Sequence, residues 1–133
     1  ISNDEAKLFV ENWAALQSNK ALNAYFNLYS SEFQGIKRTS SGKTYHYNLN
    51  EWRDDKAKIY SKNKYMFISA TNISVTGFDD SNGLTKVQLT QFYSSDNYSD
   101  EGSKILHLTK DDNGNIKIVK EEMIFANEII EGC

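Results

Sequence analysis

The stretch QLTQFYSSDNYSDEGSKILHLT, residues 88–109, sets two alternating apolar runs on either side of an acidic cluster, SSDNYSDEG, that spans Ser94 to Gly102. Such a cluster is either a cation loop or the turn of a hairpin. A calcium loop of the helix–loop–helix kind needs oxygen ligands at alternate positions, a glycine at the sixth and a glutamate at the twelfth. Counted from Asp96, the third position is Tyr98, the sixth Glu101 and the twelfth His107, so the loop fails at three places. As a turn the stretch is satisfactory, because Asp100 and Gly102 suit turn geometry and both flanks alternate as strands do. In the second flank, Leu106 and Leu108 then share one sheet face while His107 lies on the other, at the surface or an interface.

Around this hairpin the chain divides into a helical first half and a strand-rich second half. Ala6, Phe9, Val10, Trp13 and Leu16 recur at three- and four-residue intervals from Asn3 to about Gln17, which predicts an amphipathic helix capped by Asn3 or Asp4. Leu22, Tyr25, Phe26 and Tyr29 repeat that spacing in a second, shorter helix. EFQGIKRTSSGKTYHY reads as a short edge strand and a loop. NLNEWRDDKAKIYSKN places Leu49, Trp52, Ile59 and Tyr60 on the stripe of a third helix, with Asn48 or Asn50 as its cap. Beyond Lys64, runs rich in β-branched and aromatic residues alternate with the turn clusters FDDSNG, SDNYSDEG and KDDNG. Short links of this kind favour an antiparallel meander, and helices that precede the long strands cannot serve as parallel crossovers. The expected architecture is α+β, one domain over residues 1–133.

Composition narrows the function classes. The 15 Lys and Arg residues are scattered among 18 Asp and Glu, for a net charge of −3, whereas nucleic acid needs a concentrated basic surface. No apolar run approaches the roughly 18 residues of a membrane span. The chain opens ISNDEAK, without an initiator Met or a signal-peptide pattern, and reads as a mature or excised segment. Its one cysteine, Cys133, is the last residue and is expected to be an exposed thiol.

No GxSxG, Walker loop, GxGxxG or HExxH is present. His46 and His107 are the only histidines and stand apart from any cysteine or carboxylate at metal-ligand spacing, so neither a metal nor a cofactor is expected. Proton transfer would need a buried carboxylate beside a tyrosine. Glu51, Glu121 and Glu122 are the candidates, and each is expected instead to be a solvated or paired charge. The aromatic residues suit an apolar pocket with hydroxyl tips. The candidate ligand-binding residues are therefore Trp13, Tyr25, Tyr29, Trp52 and Tyr93, with His46 added because loops often carry function. An aromatic-rich core is the competing expectation for the aromatic residues.

FVENWAALQSNKALNAYFNLYSSEF resembles the start of NTF2-like (SnoaL-like) domains, with a helix carrying a central Trp, a short break, and a second helix ending in YxxxF. NEWRDDKAKIYSKNKYMFIS is similar to the family's third helix entering its first long strand, and KVQLTQFYSSDNYSDEGSKILHLTKDDNGNIKIVKEEM to its last three strands. Gln91, Tyr93, Ser95, Tyr98, Asp100, Gly102, Lys104, Leu106 and Leu108 resemble the pattern of the accessory C-terminal domain of L,D-transpeptidase-like and cell-shape proteins of the bacterial envelope. Ile118 and Glu121 fit that pattern too, while Ile116 stands where Trp is usual. The resemblance implies a cone of three helices packed on a strongly curved antiparallel sheet, a frequent homodimer through the sheet face, and a pocket used for catalysis in some members and for binding in others. It also implies a periplasmic or secreted setting, with a cytoplasmic one left open. Transpeptidase chemistry belongs to a separate domain with a cysteine nucleophile, and Cys133 has no such context. The expectation is a non-catalytic module that binds a small molecule or a cell-wall fragment. The alternatives are a small enzyme of the ketosteroid-isomerase kind and a dimerisation domain.

Overall fold

A computed structural model describes residues 1–79 and 81–130; Cys133 lies outside the described residues. Helix α1 spans Asn3–Ser18. Its cap is Ser2, one residue before the predicted pair, in a reciprocal box with Glu5 at 3.1 Å in each direction. The Asn3 side chain is used elsewhere, accepting from the Val75 amide at 3.1 Å and so tying the helix to the sheet. Helix α2, Leu22–Phe26, is shorter than its periodicity predicts, and Tyr29 opens strand β1, Tyr29–Arg38. The predicted loop after β1 holds a further strand, β2, Thr44–Asn48, paired antiparallel with β1. Helix α3, Leu49–Lys62, is capped by Asn48 as expected, and Glu51 completes the box. Glu51 is thereby a cap and no longer a candidate acid.

The long strands are β3, Met66–Asp79, β4, Leu84–Ser95, β5, Ser99–Lys110, and β6, Ile116–Glu128. They form the expected antiparallel meander within one six-stranded sheet of order β2-β1-β6-β5-β4-β3. One pair departs from the all-antiparallel expectation: β6 returns alongside β1 and runs parallel to it. Register shifts interrupt the β1–β6, β3–β4 and β5–β6 ladders. Such irregularities bend strands and raise their twist, which gives the sheet the curvature to wrap helices. At one of them Asn72 takes a left-handed conformation, φ 52°, which asparagine tolerates better than most residues.

The α+β expectation holds, with the helices on the sheet's inner face. Alternation puts Val87 and Leu89 of β4, and Leu106 and Leu108 of β5, into a core with Val10, Trp13, Tyr25, Phe33 and Trp52. The opposite sheet face carries Phe67 and Phe92, 6.1 Å apart, and Phe125. Two glycines permit close approaches: a Cβ on Gly35 would lie 2.5 Å from the Trp52 ring, and one on Gly102 would lie 1.8 Å from the Phe125 carbonyl oxygen. No described helix is long and apolar enough to cross a membrane.

Candidate functional site

The hairpin that decides the fold turns at Asp96 and Asn97, with the Ser95 amide donating to the Tyr98 carbonyl at 2.8 Å. The Asp96 carboxylate accepts from the amides of Lys64 and Tyr65 at 2.9 and 2.8 Å, anchoring the entry to β3. These bonds hold it below the usual carboxylate range. Among the described residues no group of three or more His, Cys, Asp or Glu side chains is placed to hold a metal ion.

Asp100 and Gly102 do not form the turn, as their composition suggests, but lie within β5 opposite Tyr93 and Gln91. With Lys104 they occupy the inward positions of that strand. Lys104 is 4% exposed and donates to Gln91 Oε1 at 2.8 Å and to Glu121 Oε2 at 2.7 Å. Glu121, expected to be a solvated or paired charge, is paired with Lys104 but wholly buried. Its other oxygen accepts from the Tyr29 hydroxyl at 2.6 Å, and that hydroxyl in turn accepts from Trp13 Nε1 at 3.0 Å and pairs with the Tyr25 hydroxyl at 2.9 Å. Burial, followed by the nearby Glu121 charge, pushes the phenols of Tyr25 and Tyr29 well above their ordinary range. A buried ion pair is tolerable when its remaining lone pairs and protons are satisfied, and this network supplies those partners.

Above Lys104 a cavity of about 350 Å³ opens between β1, α3, β4 and β5. Ile36, Trp52, Ile59 and Met123 give it apolar walls, while Lys37, Arg38, Lys56, Tyr93, Tyr98 and Asp100 bring polar groups to it. Three of its four cations have carboxylate partners: Lys37 with Asp55 at 2.9 Å, Arg38 with Glu122 at 3.3 Å, and Lys104 with Glu121. Glu122 is thus a paired charge, as expected. Lys56 has no carboxylate within 4.0 Å among the described residues, and its ammonium stands 5.0 Å over the Trp52 ring. Desolvation, reinforced by Lys104 and Lys37, lowers it to about 7. Asp100 accepts from the Tyr98 hydroxyl at 2.8 Å through Oδ2, whereas Oδ1 is buried without a partner among the described residues. Burial raises this carboxyl, and the Tyr98 bond offsets part of the rise.

The predicted pocket residues are therefore divided. Trp52 and Tyr93 line the cavity. Trp13, Tyr25 and Tyr29 do not; they are packed in the core and connect to the cavity through Glu121, Lys104 and the contact of Tyr29 with Trp52. Their hydroxyl and indole groups satisfy one another, so they behave as core polar groups. His46 is exposed on the edge strand β2 and does not line the cavity, because the segment read as a loop is paired strand. Sequence reasoning missed Lys37, Arg38 and Lys56, and it assigned Asp100 to a turn. Alternation from Leu106 and Leu108 back through Lys104 and Gly102 places Asp100 inward, a signal applied only to His107.

A family model described as the Cds6 C-terminal NTF2-like domain matches residues 5–122. Among curated proteins, none matches the chain. Bd1075 of Bdellovibrio bacteriovorus has a similar structure, with a TM-score of 0.74 at 21% identity over 97% of this chain and 41% of its own. The helical cell shape determining protein Pgp2 of Campylobacter jejuni, as its K307A mutant, has a TM-score of 0.63 at 23% identity, over 83% of this chain and 36% of its own. PA1314 of Pseudomonas aeruginosa, an NTF2-like protein of unknown function, has a TM-score of 0.63 at 13% identity over 96% and 94%. At these identities the likeness is one of fold. The chain spans about two-fifths of the length of Bd1075.

Proposed function

Because the chain belongs to the Cds6 C-terminal NTF2-like domain family, we propose that it is a binding module of the bacterial envelope that takes a cell-wall fragment in the cavity beside Trp52 and Tyr93. The observation that carries this reading is the cavity itself. Its volume of about 350 Å³, its apolar walls and its few convergent polar groups match the usual make-up of small-ligand sites. The buried carboxylate Glu121 is committed to Lys104 and Tyr29, which leaves it no free role as a base. The envelope setting draws support from the fold shared with a cell-shape protein. The test is an NMR titration of the labelled protein with muramidase-digested peptidoglycan. Shifts should concentrate on the Trp52 indole and the Tyr93 amide, with the digest chemically unchanged. Absence of shifts, or shifts confined to surfaces remote from the cavity, would overturn the reading.

One observation favours a second reading, a small proton-transfer enzyme. Asp100 combines a raised pKa with a tyrosine hydroxyl at 2.8 Å inside the cavity, the pairing such chemistry uses. Conversion of the added fragments by the chain, lost on Asp100→Asn, would move the assignment there.

A further inference from the structure

His107 lies on the sheet face turned away from the core, since its neighbours Leu106 and Leu108 are buried inward. The ladders set it directly opposite Lys86 of β4 on one side and Lys120 of β6 on the other. Both share its face: Lys86 stands between the buried Thr85 and Val87, and Lys120 precedes the buried Glu121. Three nitrogen-bearing side chains thus form a row across three adjoining strands, about 10 Å from the first backbone to the last. The row continues to Gln34 on β1 and Gly77 on β3, so no acidic residue stands in it. Lys86 and Lys120 have no carboxylate within 4.0 Å among the described residues. Glu122, diagonal to His107 on β6, is held by Arg38. Like charges directly opposite one another destabilise a sheet, a cost that a bound anion removes. His107 registers the field of the row, its pKa being lowered by burial, then by Lys120 and Lys86, against a smaller opposing effect of Glu122.

We propose that the row Lys86, His107 and Lys120 is an anion site that takes a phosphomonoester group, carried by a soluble compound or by a lipid headgroup. Such a group brings close to two negative charges and three acceptor oxygens, which suits two ammonium groups and an imidazole N–H. A carboxylate brings one charge and two oxygens, and leaves one cation of the row unmatched. The two lysines supply charge at any pH near neutrality, whereas His107 adds its charge and second N–H only when protonated. Binding should therefore tighten as the imidazole gains its proton, and by linkage the bound anion should make that proton harder to lose. The row lies on the other side of the sheet from the cavity, so its failure leaves the cavity reading untouched.

NMR pH titration of the histidine ring protons, in chloride and in methyl phosphate at matched ionic strength, tests it on the unaltered protein. Methyl phosphate should raise the His107 pKa by about one unit at saturation, the shift that a tenfold preference for the protonated row produces. His46, exposed on the edge strand β2, is the internal control and should not move. Lys86→Gln and Lys120→Gln should each raise the His107 pKa in chloride, by removing a repelling charge, and shrink the further rise in methyl phosphate. The double variant should abolish that further rise. A His107 pKa equal in the two salts, one that moves no more than that of His46, or a methyl phosphate response that survives loss of both lysines overturns the proposal. Sedimentation with phosphatidylcholine vesicles containing phosphatidic acid then separates the two sources. Given the His107 response, sedimentation lost in the double variant assigns the lipid headgroup, and no sedimentation assigns a soluble ester.

Discussion

Replacing Lys56 by Met should stabilise the protein, and by an amount that depends on pH in one direction only. The folded chain holds this ammonium over Trp52 beside two other cations, with its pKa lowered from 10.5 to about 7. The unfolded chain returns it to its ordinary value. Below about pH 7 both states carry the proton and the folded state bears the whole cost of enclosing it. Between about 7 and 10.5 the folded state gives up the proton while the unfolded state keeps it. The unfolded state then binds more protons, and wild-type stability rises with pH. At about 1.4 kcal/mol per pH unit the displacement sets an upper bound of about 5 kcal/mol. The side chain's partial exposure and local relaxation should reduce the measured effect to about 2 kcal/mol. Urea unfolding of wild type and Lys56→Met at pH 6.5, 8 and 9.5 reads the difference, in which the other titrating groups largely cancel. Met should be favoured most at pH 6.5 and least at pH 9.5. A difference that is flat with pH, or that grows as pH rises, would refute the account of Lys56 as an enclosed and unmatched charge.

Two further substitutions probe the floor of the cavity and the hairpin. Glu121→Gln leaves Lys104 charged and buried without its counter-ion, so it should cost about 3–5 kcal/mol in chemical denaturation. Adding Lys104→Met should recover a large part of that loss, and a double variant as unstable as the sum of the two single variants would show that the pair is not coupled. Gly102→Ala drives a methyl group to within 1.8 Å of the Phe125 carbonyl oxygen and should destabilise the protein by about 1–3 kcal/mol. An unchanged melting temperature would contradict the close packing of β5 on β6.

The elements with long, regular periodicity were legible in the sequence. The stripes of α1 and α3 follow from apolar spacing, the four long strands from β-branched and aromatic runs set between turn clusters, and the caps missed by at most one residue. What failed did so where tertiary pairing outweighs local pattern. Tyr29 continues the helical spacing of Leu22, Tyr25 and Phe26, yet β1 claims it through pairing with Ile118, because five residues of helix contribute too little on their own. The Thr44–Asn48 segment carries the residues of a strand, but its partner, β1, lies across a Gly-containing turn that sequence spacing leaves ambiguous. The site was less legible still. Aromatic residues announce themselves as pocket walls and core alike, and nothing local separates Trp52, which faces the cavity, from Trp13, which does not. Lys56 stands four residues from both Trp52 and Tyr60, on the buried stripe of α3, so helical spacing places it inward; its charge hid that signal among the other lysines of the helix.

The inward face of β5 shows why the same short pattern specifies both the fold and the site. Read backward along the strand, Leu108 and Leu106 are wholly buried, Lys104 is 4% exposed and ion-paired, and Asp100 is only partly buried. The demand on each side chain relaxes in that order. Where water is excluded on every side, only an apolar residue is tolerable. One step on, a charge is tolerable if Glu121, Gln91 and the core tyrosines satisfy it. At the cavity the strand carries a carboxylate whose Oδ2 accepts from the Tyr98 hydroxyl, while Oδ1 is buried without a partner among the described residues. Gly102 stands between Lys104 and Asp100, where β6 passes so close that a Cβ would meet the Phe125 carbonyl oxygen. An acidic hairpin that looks in sequence like a possible calcium loop is thus the transition from sealed core to cavity wall.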